Sequence, residues 1–456
     1  MAGLGSRWAA LSGRRFLLRR MDYAILGRSM PAVGDPLRAE SLALPVGCLL
    51  ALALLVGSAA MAVLRPAAGP GGAPLVLARG SGALFVRVGE DLRPVANMAS
   101  ARLILNEPAQ PRVVDDDRLG PVSSGPVLGI PGAPQRIGEP IASGDAPWTV
   151  CDGADGTTTV AVGSLEIPPA LARHTGVLVA AAQGEVVYLL YDGGRAAVDP
   201  ADPVIARTLH LDGVRPRRVS STLLTLVPEA PPITAPHIAG AGGVSLVGGR
   251  TVGSVLRVAR AGTEEYYVVL RDGLQRIGGL TADLIRFGDP RGATEITTVA
   301  ADLVAASPLV DTLPSASYPD RPPTLGALEA DLCATWAAGR VTIGAGSVAA
   351  GSAPVRLARA DGAGPAVDQV RMPPGRCADV TVTDLAGRTG SAVRYLITDA
   401  GVRFALHDSA TAVALGLAGT PAVAPWPLVA TLPAGPELGR DAALVARDVS
   451  TDRPTP

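Results

Sequence analysis

The stretch SLALPVGCLLALALLVGSAAMAVL, residues 41–64, carries no charged residue in 24 positions. As a helix rising ~1.5 Å per residue it would be about 36 Å long, enough to cross the hydrocarbon of a bilayer. Pro45 falls in its first turn, where a proline costs a helix little. Ala60-Met61-Ala62 fits the small-residue rule of signal cleavage, but secretory apolar regions run roughly 7–15 residues behind a short basic segment. Here 40 residues precede a longer apolar run. The expectation is an uncleaved single span at 41–64.

Charge orients that span. Residues 1–40 carry seven Arg against Asp22, Asp35 and Glu40, a balance of +4, which leaves −5 for residues 65–456. Basic flanks stay in the cytoplasm, so residues 1–40 read as a cytoplasmic tail and everything after Arg65 as extracytoplasmic. Within the tail, RRFLLRRMDYAIL (14–26) sets Phe16, Leu17, Leu18, Met21 and Ile25 among Arg14, Arg15, Arg19 and Arg20. This reads as a short basic amphipathic helix with two open roles, a topology signal on anionic lipid or a docking surface for a cytoplasmic partner.

Glycine and proline together make 21% of the 456 residues, nearly double ordinary usage, yet 48% of the chain is hydrophobic and can bury a core. Only 15 residues are aromatic, so Val, Leu, Ile and Ala must fill that core. There is no lysine: all 40 basic residues are arginine. P-loop, protein-kinase, Schiff-base and Ser-Lys chemistries are thereby excluded.

After a Gly/Ala/Pro stalk at 65–74, one pattern returns four times: a β-rich run, a Gly-containing turn, an Arg or Gln, then an Ala/Leu stretch with helical spacing. The copies are ALFVRVGEDLRPVANMASARLIL (83–105), YLLYDGGRAAVDPADPVIARTL (188–209), YVVLRDGLQRIGGLTADLIRF (267–287) and YLITDAGVRFALHDSATAVALGL (395–417). In the first copy Ala96, Ala99 and Leu103 share a helical face; in the last Ala410, Val413, Ala414 and Leu417 do. Asp192-Gly193 and Asp272-Gly273 sit where a hairpin needs positive φ. The copies begin at irregular intervals, which excludes a fixed-period solenoid. The expected fold is a bitopic α+β protein whose residues 75–456 form four strand–turn–helix units around a central β domain. That domain would be drawn from 125–180, 330–370 and 420–448, the last reading as too rich in proline for regular structure before a final short helix.

No catalytic constellation emerges. Gly243-Val244-Ser245-Leu246-Val247 fails G-x-S-x-G at its last position, no H-E-x-x-H or EF-hand loop occurs, and the Asp115, Asp116, Asp117 run reads as a solvated loop. No C-x-x-C occurs, and His174, His210, His237 and His407 are scattered, which argues against zinc. Dispersed Arg and few aromatics give nucleic acid no stacking platform. Cys48 lies inside the span; Cys151, Cys333 and Cys377 lie beyond it, where disulfides persist, and their odd number leaves one thiol over.

The order of RRFLLRRMDYAIL, Asp35-Pro36-Leu37-Arg38 before the span, SGALFVRVGEDLRPVANMASARLI (81–104), GPVLGIPGAP (125–134), WTVC (148–151), LCATW (332–336), GVRFAL (401–406) and APWPLVATLPAGPEL (424–438) resembles EccB, a core membrane subunit of the actinobacterial type VII (ESX) secretion system. The resemblance spans nearly the whole chain. It implies one span in the cytoplasmic membrane, with the C-terminal domain in the periplasm. The implied partners are the EccC motor ATPase, EccD, EccE, other EccB copies and the mycosin protease, in a hexameric complex that exports small helical WXG100/ESX proteins. It also implies a disulfide between Cys151 and Cys333, with Cys377 departing from the family pattern. EccB proteins are sometimes described as ATPases, so an extracytoplasmic nucleotide hydrolase stands as the alternative reading. The residues supply no Walker lysine for it, and no cofactor is implied.

Overall fold

The computed structural model describes residues 4–27, 36–64, 70–119, 125–142, 146–163, 166–260, 263–289, 295–326, 328–348 and 353–447. They form two compact units, one up to Gly71 and one from Gly72 onward.

The first unit is helical. One helix runs Leu4–Ile25 and a second Pro36–Leu64, with Pro45 inside it. Within Pro36–Leu64 the side chains described run from 45 to 61, and Val46, Leu49, Leu50, Leu52, Leu54, Leu55, Val56 and Met61 are all more than half exposed. At ~3.6 residues per turn these positions encircle the helix, leaving it no polar face. Among the described residues no helix is long and apolar enough to cross a membrane.

The second unit is α+β with mixed sheets, and four of its sheets share one plan. Three antiparallel strands are followed by a helix, and a last strand returns parallel to the first. The first sheet uses Leu75–Ala78, Leu84–Val88, Asp91–Val95, helix Met98–Leu105 and Arg112–Val114. The second uses Thr175–Ala181, Val187–Tyr191, Gly194–Val198, helix Pro203–Thr208 and Arg217–Val219. The third uses Val255–Arg260, Thr263–Val269, Leu274–Ile277, helix Gly279–Gly288 and Thr297–Thr298. The fourth uses Arg376–Thr383, Thr389–Thr398, Arg403–Leu406, helix Ser409–Leu415 and Ala422–Pro425. A parallel return needs a crossover, and the helix supplies it.

Turn and cap chemistry fixes these elements locally. Asp192 (φ 44°) and Gly193 (φ 79°) both take positive φ in a two-residue hairpin loop between Tyr191 and Gly194, as a type I′ turn demands. Asp272-Gly273 differs from expectation: the loop from Leu270 to Gly273 is longer, and Gly273 does not have positive φ. Its glycine serves close approach, because a Cβ there would lie 2.5 Å from the Pro308 carbonyl oxygen. Asn97 and Asp408 cap their helices by accepting from Ser100 N (2.9 Å) and Thr411 N (2.7 Å).

Those caps also correct the expected helix faces. Asn97 starts its helix at Met98, so Ala96 lies outside it and is exposed, while Ala99 and Leu103 are buried. In the fourth sheet's helix Thr411, Ala412, Ala414 and Leu415 are buried, whereas Ala410 and Val413 face solvent.

The central sheet has the order Arg340–Ala345, Leu332–Ala337, Trp148–Asp152, Thr158–Val162, Gln369–Arg371, Val355–Arg356. The expected central domain is therefore too wide. Val127–Leu128 and Ala446–Arg447 join the first sheet, Glu139–Pro140 and Ala422–Pro425 join the fourth, and Thr175–Ala181 opens the second. The closing segment is also more regular than expected, holding that strand and the helices Trp426–Val429 and Arg440–Ala443. Proline cannot donate to a ladder, so these Pro-bearing segments form short strands or helix starts.

Three shared cores join the sheets. Val177, Val179 and Leu190 of the second sheet and Val380, Ile397 and Ala424 of the fourth pack with Trp148, Val150, Ala334 and Trp336 of the central sheet. Leu75, Val86, Ala99 and Leu103 pack with Leu396, Phe404, Ala412 and Leu415, joining first to fourth. Leu189, Ile205 and Leu209 pack with Leu280 and Leu284, joining second to third.

Candidate interaction surfaces and the disulfide-bridged centre

Register places Cys151 directly opposite Cys333, between Val150↔Ala334 and Asp152↔Leu332 on neighbouring strands. Their Cα atoms are 4.1 Å apart and a disulfide joins them. Side chains alternate faces along a strand. Trp148, Val150, Ala334 and Trp336 accordingly face the main core, while Cys151 and Cys333 face a small cluster with Ala161 and Val348. Thr149 and Thr335, opposite each other, share a buried hydroxyl–hydroxyl bond of 3.0 Å.

Asp152, the next residue, ties this sheet to the second one. Its buried carboxylate accepts from Ser220 N (2.6 Å), Ser220 Oγ (2.8 Å) and Thr158 Oγ1 (3.1 Å), and Arg217 Nη2 donates to its backbone carbonyl (2.8 Å). Burial pushes the Asp152 carboxyl above the ordinary carboxylate range, against the pull of the Ser220 bonds. Ser220 in turn caps helix Ser221–Leu226 by accepting from Leu223 N.

Cys377 lies elsewhere, buried in the fourth sheet, with its Sγ donating to Gly138 O at 3.1 Å. Burial, with Asp379 adding its charge, pushes this thiol up to about 12. Thiolate is the reactive form. Iodoacetamide at about pH 8 is therefore expected to leave Cys377 unmodified in the folded chain and to alkylate it only after unfolding, as read by peptide mass spectrometry. Rapid alkylation of the native chain would contradict this.

Arg14, Arg15, Arg19 and Arg20 are all exposed on helix Leu4–Ile25. Leu17, Leu18, Met21 and Ile25 are more than half exposed, and helical periodicity puts them within an arc of about 100°. Arg14 falls on that same arc and Phe16 opposite it, so the two faces are mixed and the amphipathicity is weaker than the composition suggested.

Sequence reasoning missed two surface features on the second unit. Val244 and Leu246 are 78% and 79% exposed on a hairpin-like loop, where Ser245 N donates to Arg250 O and Leu246 N to Arg271 O. Trp426, 40% exposed, packs on Tyr395 with ring centroids 5.7 Å apart, and the Arg403 guanidinium lies 5.4 Å from one ring and 6.0 Å from the other. Exposed Trp, Tyr and Arg are the residues most often found at the centres of protein contacts. The local signal for Trp426 is its setting between Pro425 and Pro427 in APWPLVATL.

A cavity of about 790 Å³ in the third sheet's region is lined by Glu264, Glu265, Asp283 and Asp320 against Arg276 and Arg321. Among the described residues no group of His, Cys, Asp and Glu has the arrangement of a metal site.

Comparison with known proteins identifies the chain's family. The family described as type VII secretion system ESX-1, transport TM domain B, matches residues 5–451. The chain is 36% identical to the ESX-3 secretion system ATPase EccB3 of Mycolicibacterium smegmatis, over 97% of this chain and 91% of that protein. Among solved structures it is similar to a chain of the intact ESX-5 inner membrane complex, with TM-score 0.74, 30% identity, and coverage of 98% of this chain and 97% of the other. A chain of the periplasmic assembly from the ESX-5 inner membrane complex gives TM-score 0.71 at 31% identity, covering 85% of this chain and 99% of that one. The chain belongs to the EccB family of type VII secretion proteins.

Proposed function

We propose that this protein is a structural core subunit of a type VII (ESX) secretion membrane complex, helping to export small helical proteins by holding partner subunits. The observation that carries this reading is the likeness over 98% of the chain to a component of an intact inner membrane complex. Residues 41–64 are assigned as a single span on their sequence, an uncharged apolar run of 24 residues behind a basic tail, although the described side chains, 45 to 61, are too few to make a span by themselves. The +4 tail stays in the cytoplasm, and residue 65 onward stands in the periplasm, the side named for the relative's periplasmic assembly. EccC, EccD, EccE, further EccB copies and the mycosin are the partners this reading assigns, with Arg14, Arg15, Arg19 and Arg20 serving the cytoplasmic contacts.

The second reading, nucleotide hydrolysis, has one specific support: curated relatives carry ATPase in their names. Phosphoryl transfer needs cations or a backbone nest at the β- and γ-phosphates. With no lysine in the chain and four carboxylates against two guanidiniums in the cavity beside the third sheet, a triphosphate meets net repulsion there.

Two measurements test the proposal. Membrane-impermeant labelling of single cysteines placed at positions 10 and 300 is expected to mark only the latter in intact cells; labelling at 10 would sink the topology. Changing Arg14, Arg15, Arg19 and Arg20 together to Ser is expected to cut co-purification of the motor and EccD several-fold, with the chain's folding retained. Undiminished co-purification would remove those residues from the contact.

A further inference from the structure

The fourth sheet ends at strand Arg403–Leu406, whose inner side pairs with Thr389–Thr398. Its outer side is covered by a later stretch of the same chain, residues 433–438, which runs parallel to it as a strap. Arg403 pairs there with Ala434, and Leu406 with Leu438. Arg403 N donates to Pro433 O (2.9 Å), Gly435 N to Arg403 O (2.8 Å), Leu438 N to Ala405 O (2.9 Å) and His407 N to Leu438 O (2.9 Å). Beyond the strap the chain forms helix Arg440–Ala443 and then strand Ala446–Arg447, which joins the first sheet.

The middle of the strap is its weak part. Between the two paired positions it holds three residues, Gly435, Pro436 and Glu437, against two in the strand, Phe404 and Ala405. An extra residue interrupts a ladder, and Pro436 has no N–H to donate to one. Leu432 and Leu438 are buried at either side of this stretch and anchor it. Among the described residues one polar side-chain pair clasps the middle to the strand. His407 Nδ1 and Glu437 Oε1 are 2.8 Å apart, and both side chains are more than 60% exposed.

We propose that residues 433–438 form a pH-sensitive latch over the edge of the fourth sheet, clasped when His407 is protonated against Glu437 and loosened when the ring loses its proton. Histidine ordinarily titrates near pH ~6.5, within the range a cell surface meets. The Glu437 hydrogen bond and charge hold His407 above its ordinary value, and Asp408 on its own segment and Asp441 on helix Arg440–Ala443 add to this. The folded chain thus keeps this proton more tightly than the unfolded one. The clasp's contribution is full below about pH 6.5 and is lost as the pH rises through the raised value. A pair this exposed is screened by water, so it governs the local opening of the strap and not the stability of the fold. Opening bares the N–H and C=O row of Arg403–Leu406, on which another strand can pair. Acid keeps that edge closed, and neutral to alkaline conditions offer it more often.

Hydrogen exchange of the full chain in non-ionic detergent micelles tests this, at about pH 5.5 and about pH 8 on either side of the histidine range. Rates are read as protection factors, so that the intrinsic pH dependence of exchange cancels. The Gly435 and Leu438 amides are expected to be about threefold more protected at the lower pH. His407→Gln, which keeps a hydrogen-bonding side chain but does not titrate, should abolish the difference, and Glu437→Gln should remove more than half of it, with circular dichroism unchanged in both. Equal protection at the two pH values, or a difference that survives undiminished in either variant, would overturn the latch.

Discussion

Replacing Cys151 and Cys333 together by serine should destabilise the unit from Gly72 onward by about 4–5 kcal/mol. The two cysteines are 182 positions apart, and closing so long a loop removes more chain entropy from the unfolded state than a short one does. The bridge ties Leu332–Ala337, where the chain returns to the central sheet, to Trp148–Asp152, the strand one hairpin before it leaves through Thr158–Val162 to build the second and third sheets. Without the bridge, that excursion is held at its base only by the ladder and by the Asp152–Ser220 bonds. Urea unfolding of residues 72–456 under non-reducing conditions measures the loss. A change below about 1 kcal/mol would show that the cores alone fix the centre.

A comparable effect is expected at an ion pair that no local pattern marks. Asp379 is 4% exposed by side chain and Arg394 18%, and they form a two-pronged ion pair within the fourth sheet. Arg394 also donates to the carbonyls of Leu417 (2.7 Å) and Gly419 (3.2 Å), just beyond helix Ser409–Leu415. Arg394→Met strands a buried carboxylate and should cost about 3–4 kcal/mol. Asp379→Leu added to it should recover about half of that, since the carboxylate is gone while the two carbonyls still lack their donor. An Arg394→Met variant within about 1 kcal/mol of the parent would mean that water reaches Asp379 freely.

What could be read without coordinates follows from how local each signal is. The Asp192-Gly193 hairpin and the uncharged run at 41–64 are written in adjacent residues, so composition and turn chemistry reach them. The helix faces are less secure. Met98–Leu105 and Ser409–Leu415 have only about two turns, and the caps Asn97 and Asp408 set their phase more than their apolar spacing does. The parallel return strands, such as Arg112–Val114 and Thr297–Thr298, are too short to show a period of two. Asp379 and Arg394 meet only through the register of strands joined by a bulge near Thr381 and Thr383. The cysteine pairing was open on parity alone; the resemblance supplied the pair that the central sheet brings into opposition.

The central claim is that this chain works by holding other subunits. Its most direct test is affinity purification of the tagged full chain from its own membranes, with particle mass and composition read by native electrophoresis and mass spectrometry. The account predicts one high-mass particle that contains the motor ATPase and several copies of this chain. Recovery of the chain alone, as a monomer that itself turns over ATP, would contradict it.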